Sequence, residues 1–130
     1  MSYLHPELPP IALTRSDLEK LSRLADAATG PFAQTGEFLA REIDRAEVIE
    51  GFEQRPGLVT MESQVTFRDD VTGQVRTATL VYPDEADLSQ GKISVLTPVG
   101  AALIGLSVSQ SIEWETVSGG HRSLTVLAVA

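Results

Sequence analysis

The sequence predicts an α+β fold: a short N-terminal antiparallel helical hairpin of coiled-coil type, then a small antiparallel β-sheet wrapped on one short helix. Three observations carry this. Apolar residues recur every three or four positions over the first third of the chain, the spacing of a helix face. Beyond Gly57 the apolar spacing changes to two, the spacing of a half-buried strand. Within that strand-rich part, Thr97 and Pro98 open a compact apolar segment that Gly105 closes, the signature of one short helix.

The hairpin is read first. Ser16 and Glu19 stand at capping-box spacing, and Thr14 with Asp17 offers an alternative start two residues earlier. Leu18, Leu21, Leu24 and Ala28 then form one apolar stripe. Gly30-Pro31 ends this helix, since Gly suits a left-handed cap and Pro cannot continue the hydrogen-bond ladder. After a tip of sequence PFAQTG, a second helix is expected from residue 37 to residue 48 or 49. Phe38, Leu39, Ile43 and Ala46 form its apolar face, and Arg41, Glu42, Asp44, Arg45 and Glu47 are expected in water. Two helices on a short connector make an antiparallel αα-hairpin. Arms of about 13 residues project only ~20 Å, at roughly 1.5 Å of rise per residue.

Residues 51–57, GFEQRPG, read as a linker, so the expected division is 1–50, 51–57 and 58–130. Val59, Met61, Val65 and Phe67 alternate with polar or small residues and predict a strand. Residues 69–73, DDVTG, are turn chemistry, and residues 74–82 are a second β-rich run, so the pair predicts a hairpin. A polar loop over 83–91 leads to a short apolar strand over 92–96. The Thr97–Pro98 helix follows, and strands over 111–116 and 124–128 close the chain.

Composition narrows the functional classes. The 130 residues carry ten Lys/Arg against eighteen Asp/Glu, a net charge of −8, with no basic run. Neutralising nucleic-acid phosphates requires clustered cations, so direct nucleic-acid binding is not expected, and a protein partner with basic patches is. Absence of cysteine excludes a disulfide framework, a zinc–thiolate site and a thiol nucleophile. The first residues show neither a basic n-region nor an apolar h-region, and no apolar run approaches the roughly 20 residues of a membrane span. A cytoplasmic, monomeric protein is the expectation.

No set of residues reads as a catalytic centre. Asp84, Glu85 and Asp87 read as a solvated loop rather than a cation site. His5 and His121 are isolated, and Ser123 near His121 lacks the turn that presents a nucleophile. Trp114 sits on a predicted strand and reads as core. Phe32, at the tip of an exposed hairpin, either folds back locally or meets a partner. The expectation is a protein that is not an enzyme, with no cofactor and no metal.

The segments VTFRDDVTGQVRTATLVYPDEAD and GKISVLTPVGAALIGLSVSQSIEWE resemble the C-terminal, FKBP-like domain of the Gre transcription factors. The shared features are a D-x-x-T-G turn, an acidic loop, an I-S-V strand, a T/S-P-x-x-x-A-L-x-G helix and a closing E-W/V strand, and the likeness covers residues 58–130. VTMESQVTFRD, TLVYP, TPVGAALIGL and LAREIDRAEV, with the short hairpin, resemble in particular the branch of that superfamily known as regulators of nucleoside diphosphate kinase.

The resemblance implies bacterial RNA polymerase as the partner, with the globular domain on the rim of the secondary channel and the hairpin pointing into it. It assigns Leu96, Thr97 and Pro98 to the rim contact, although some Gre factors have an acidic residue where this chain has Leu96. It assigns Pro31, Phe32 and Gln34 to the tip contact. In Gre factors an acidic pair at the tip helps hold a metal ion beside the polymerase active centre, as hard carboxylate oxygens can. Residues 30–35 here contain no carboxylate, with Asp26 before them and Glu37 after. The implied role is therefore regulation of transcription elongation by competition with Gre-type factors, without transcript cleavage. An indirect link to nucleoside diphosphate kinase, through transcription, is equally compatible with the resemblance. Two alternatives stand beside it: a true Gre-type cleavage factor, and an FKBP-like interaction module or peptidyl-prolyl isomerase. The latter is disfavoured by an aromatic content of 5%.

Overall fold

Thr14 sets the start of the first helix. Its hydroxyl accepts a hydrogen bond from the Asp17 amide at 3.1 Å, so the earlier of the two expected starts is the one used. Ser16 and Glu19 fall inside the resulting helix, α1 (Arg15–Ala27). The structure is a computed structural model that describes residues 8–50, 55–116 and 119–130. At its far end α1 stops at Ala27, and Gly30, at φ +58°, opens one turn of 3-10 helix (Gly30–Phe32).

The second helix, α2 (Ala33–Arg45), starts four residues earlier than expected and also ends earlier. Pro31 sits in the first turn of the 3-10 segment, and Phe32 and Ala33 already have right-handed helical backbone. The tip therefore runs straight into α2, and the last four residues of PFAQTG belong to that helix. Beyond Arg45 the backbone extends at Ala46, and Glu47–Ile49 forms a strand, β2, rather than a last helical turn. Val48 and Ile49 are β-branched and suit an extended chain. β2 pairs in parallel with β1 (Ala12–Thr14), Leu13 opposite Val48. Sequence spacing alone gave no sign of this pair.

Glu42 corrects another expectation. It is 2% exposed rather than wet, held by both Nε and Nη2 of Arg45 at 2.9 and 2.8 Å. Arg45 also donates from Nη1 to the Pro9 carbonyl. A buried carboxylate needs such a partner, because leaving water unpaired costs several kcal/mol, on the order of the values seen for other buried ions.

Beyond residue 58 five strands make one sheet in the order β5-β4-β3-β7-β6. They are β3 (Gln64–Asp69), β4 (Val75–Val81), β5 (Lys92–Ser94), β6 (Ser111–Glu115) and β7 (His121–Val129). The predicted hairpin is β3–β4, with Phe67 opposite Arg76. The sheet is not wholly antiparallel as expected: β5 runs parallel to β4, Leu80 opposite Ile93. The connection between them contains two short 3-10 turns, Pro83–Glu85 and Leu88–Gln90, and is long enough to carry the chain back to the same end.

The strand expected from Val59 begins only at Gln64. Glu62 has φ +70° and Ser63 closes a turn onto Thr60, which breaks the run. Val59 and Met61 are nonetheless buried, so the alternation marked burial rather than strand pairing.

The short helix α3 (Pro98–Leu103) forms as expected. The Thr97 hydroxyl accepts from the Gly100 amide at 3.0 Å, and Gly105 follows at φ +84°. Gly100 lets α3 lie against the preceding turn, since a Cβ there would fall 2.1 Å from the Ser94 carbonyl oxygen.

One apolar cluster joins Ile11, Leu13, Leu21 and Leu39 to Val65, Leu80, Leu103 and Ile112. Each such buried aliphatic side chain contributes ~2 kcal/mol before entropy is counted. Two hydrogen bonds reinforce the join: Met61 N–H to Asp17 Oδ2 at 3.1 Å, and Ala12 N–H to the Gly105 carbonyl at 3.1 Å. Residues 51–54 of the expected linker lie outside the described residues. No helix among the described residues is long and apolar enough to cross a membrane.

Candidate partner-binding surface

Side chains alternate across the sheet, and one set points to the inner face. Val65 and Phe67, Ala78 and Leu80, and Leu124 and Val126 belong to that set, as their cross-strand registers require. The same registers put Arg76 opposite Phe67, and Arg122 opposite Trp114, on the inner face. α3 covers one part of this face. The rest forms an open cavity of about 520 Å³, bounded by Pro98 and Val99 of α3 and by Ile93 and Trp114 of the sheet.

Among the described residues three cations line the opening, Arg76, Lys92 and Arg122, and no carboxylate does. Arg76 lies with its guanidinium carbon 5.9 Å from the centre of the Phe67 ring, within cation–π range. Arg122 donates to Asp69 Oδ2 at 2.9 Å. The amide of Thr72, that of Val71 and the Arg122 guanidinium hold the Asp69 carboxyl below the usual carboxylate range. Trp114 is half-buried, packed on the core on one side and open to the cavity on the other.

The residues expected at the polymerase rim divide here. Thr97 and Pro98 line the opening. Thr97 is fixed there by donating to the Ser94 carbonyl at 2.7 Å while accepting from Gly100. Leu96 is 8% exposed, turned into the core, with its amide bonded to Ser94 Oγ at 3.0 Å. The three basic residues were not singled out from the sequence. The signal was present, because Arg76 stands two positions before inward Ala78 and shares its face.

At the hairpin end, Pro31 and Gln34 are exposed and Phe32 is 50% exposed, so Phe32 is not folded into the core. Residues 27–36 contain no carboxylate. None of the tip residues lines the opening.

A shallower cleft lies where α1 meets the Pro83–Glu85 turn, with Lys20 and Arg23 facing Asp84 and Glu85. Tyr82 lines it, and burial, then the charges of Asp17 and Glu62, push its phenol up to about 12. Among the described residues no group of three or more His, Asp or Glu is placed to hold a metal ion. Asp87 instead caps a turn by accepting from Ser89. His121 faces Glu115 across β6–β7, and Ser123 donates to Asp70 rather than to a base. His5 lies outside the described residues.

Comparisons with known proteins agree with this division of the chain's features. Residues 54–130 match the family described as "Transcription elongation factor, GreA/GreB, C-term", and residues 9–49 match "Rnk N-terminus". The chain is 39% identical over 119 residues to the "Regulator of nucleoside diphosphate kinase" of Escherichia coli K12, covering 92% of this chain and 88% of that protein. It is 35% identical to the transcription elongation factor GreA of Syntrophobacter fumaroxidans, over 70% of this chain but only 58% of that longer protein. The structure is similar to the prokaryotic transcription elongation factor GreA/GreB of Nitrosomonas europaea. Its TM-score is 0.71 at 38% identity, over 94% of this chain and 98% of the other. A chain matched along its length by an Rnk N-terminal part and a GreA/GreB C-terminal part belongs to the GreA/GreB transcription-factor family, in its Rnk-type branch of nucleoside diphosphate kinase regulators.

Proposed function

We propose that this protein is a regulator of transcription elongation that docks on bacterial RNA polymerase at the secondary-channel rim, competes there with Gre-type factors, and does not stimulate transcript cleavage. The observation that carries this is the hairpin: two 13-residue arms meeting at a tip without a carboxylate. Cleavage assistance requires hard oxygen ligands delivered to a metal ion beside the polymerase active centre. Arms of this length reach only ~20 Å, at roughly 1.5 Å per residue, and Asp26 and Glu37 stand behind the tip on either arm.

In this reading residues 58–130 form an FKBP-like docking unit, and residues 1–50 are an N-terminal segment with a short helical hairpin of coiled-coil type that acts as the probe. Thr97 and Pro98 meet the rim, and Pro31, Phe32 and Gln34 meet the channel mouth. The protein acts in the cytoplasm, as a monomer, and affects nucleoside diphosphate kinase only through transcription.

The test is a pull-down of core polymerase followed by displacement with a Gre factor. Retention at micromolar concentration and loss upon displacement are expected, and absence of retention would sink the proposal. Backtracked elongation complexes incubated with the protein should release no short RNA. Release would move the protein to the cleavage factors.

A further inference from the structure

We infer that the opening beside Thr97 and Pro98 receives an acidic segment of its protein partner, an apolar side chain seated in the cavity with carboxylates flanking it. The inference rests on reading this opening as the docking surface, and it assigns the chemistry of what docks.

Charge is the first argument. The chain as a whole is strongly acidic, so it would be expected to favour basic partners. The opening reverses that sign locally, with Arg76, Lys92 and Arg122 at its wall and, among the described residues, no Asp or Glu. Arg122 is engaged by Asp69, whereas Arg76 and Lys92 form no ion pair among the described residues. Two cations without a carboxylate at salt-bridge distance, beside an apolar cavity, can take counter-charges from a partner.

The spacing argues for a chain segment rather than a single anion. Lys92 is on β5, Arg76 on β4 and Arg122 on β7, with β3 between β4 and β7. Adjacent strands are ~4.8 Å apart, so the outer two cations arise from backbones roughly 14 Å from each other. Carboxylates on successive turns or alternate residues of a segment can meet cations spread over that width without drawing the side chains together across the apolar floor. The floor between them is apolar, with Ile93, Val99 and Trp114 offering area to a hydrophobic side chain. Leu88, 79% exposed, stands at the lip.

Trp114 is the chain's single tryptophan and lines the opening, so its fluorescence reports occupancy directly. Two short peptides serve as probes, each with a central Leu-Leu, one flanked by Glu on both sides and one by Lys. The Glu-flanked peptide should shift Trp114 emission saturably and the Lys-flanked one should not. Raising salt from about 50 to about 500 mM should weaken the acidic peptide at least about fivefold, since exposed charges are screened. Arg76→Gln combined with Lys92→Gln should do the same at low salt, with circular dichroism unchanged. Equal binding of both peptides, binding of neither, or indifference to the double substitution would overturn the inference.

The same variant is then taken to core polymerase, where at least about a fivefold loss of affinity is expected. Unchanged, salt-independent polymerase binding would overturn the acidic-segment inference while leaving the docking proposal standing. A positive peptide titration with no polymerase binding would do the reverse.

Discussion

Gly36 lies so close to Ala28 that a Cβ on Gly36 would fall 2.5 Å from the Ala28 Cβ and 3.1 Å from the Ala25 carbonyl oxygen. The two arms of the hairpin therefore meet at backbone level just behind the tip. A Gly to Ala change inside a helix normally gains up to ~1 kcal/mol from propensity. Here the added methyl has no room, and neither Ala28 nor a backbone carbonyl can rotate away. Gly36→Ala should therefore lower stability, and Gly36→Val should cost about 1–3 kcal/mol through overpacking. Urea midpoints decide the matter. A rise for Gly36→Ala would show that the arms part freely.

Glu42 and Arg45 form a pair that is almost dry on the carboxylate side, with side-chain exposures of 3% and 23%. Removing one member of a buried pair typically costs roughly 3–5 kcal/mol. Arg45 can still reach water, so Glu42→Ala should fall at or below the low end of that range. Arg45→Ala strands the carboxylate and frees the Pro9 carbonyl, and should cost more. Denaturant curves for the two variants would settle the order. Equal losses would contradict the argument from exposure.

Partial desolvation raises the carboxyl of Glu62, an exposed residue, above its ordinary range, and the nearby Glu85 and Asp17 add to this against the opposing charge of Lys92. A carboxyl whose folded pKa is raised contributes its stability at low pH and loses it as pH rises through the folded value. At neutral pH the ionised group is a liability. Glu62→Gln should therefore raise the melting temperature near pH 7, and that gain should vanish below the carboxylate range. The substitution leaves the φ +70° backbone as it is, so the difference isolates the charge. A gain that persists unchanged at acidic pH would contradict the assignment.

Phe32 offers a separation of stability from binding. At 50% exposure it supports little of the core, so Phe32→Ala should change stability by less than about 1 kcal/mol. If the tip enters the polymerase channel, the same change should weaken competition against a Gre factor several-fold. Identical displacement curves for Phe32→Ala and the parent would remove the tip from the interface.

Local chemistry made some of this structure readable in advance. α3 was legible because its cap, its first-turn proline and its terminating glycine are all carried by neighbouring residues. The β3–β4 hairpin was legible for the same reason, through the DDVTG turn. The β1–β2 pair was not, because parallel strands separated by two helices leave no local mark. Glu42 looked like a surface residue, since its partner Arg45 also looked solvated, and the bond from Arg45 to the Pro9 carbonyl leaves no mark in the sequence. The candidate surface was half legible: Thr97 and Pro98 stood out by motif. Arg76, Lys92 and Arg122 come together only when strand order is known. Leu96 is adjacent to the surface in sequence, but its side chain is buried in the core rather than lining the opening.

The parallel pairing of β1 with β2 also governs how this molecule can be shortened. Antiparallel neighbours can be rejoined by a two-residue turn, whereas parallel neighbours need a crossover that travels the length of a strand. The two helices are that crossover. Cutting them away at the root would leave strand ends pointing in the same direction with nothing to connect them. The hairpin can be trimmed or extended only from its tip, in matched steps on both arms, while its base stays fixed by the β1–β2 pair.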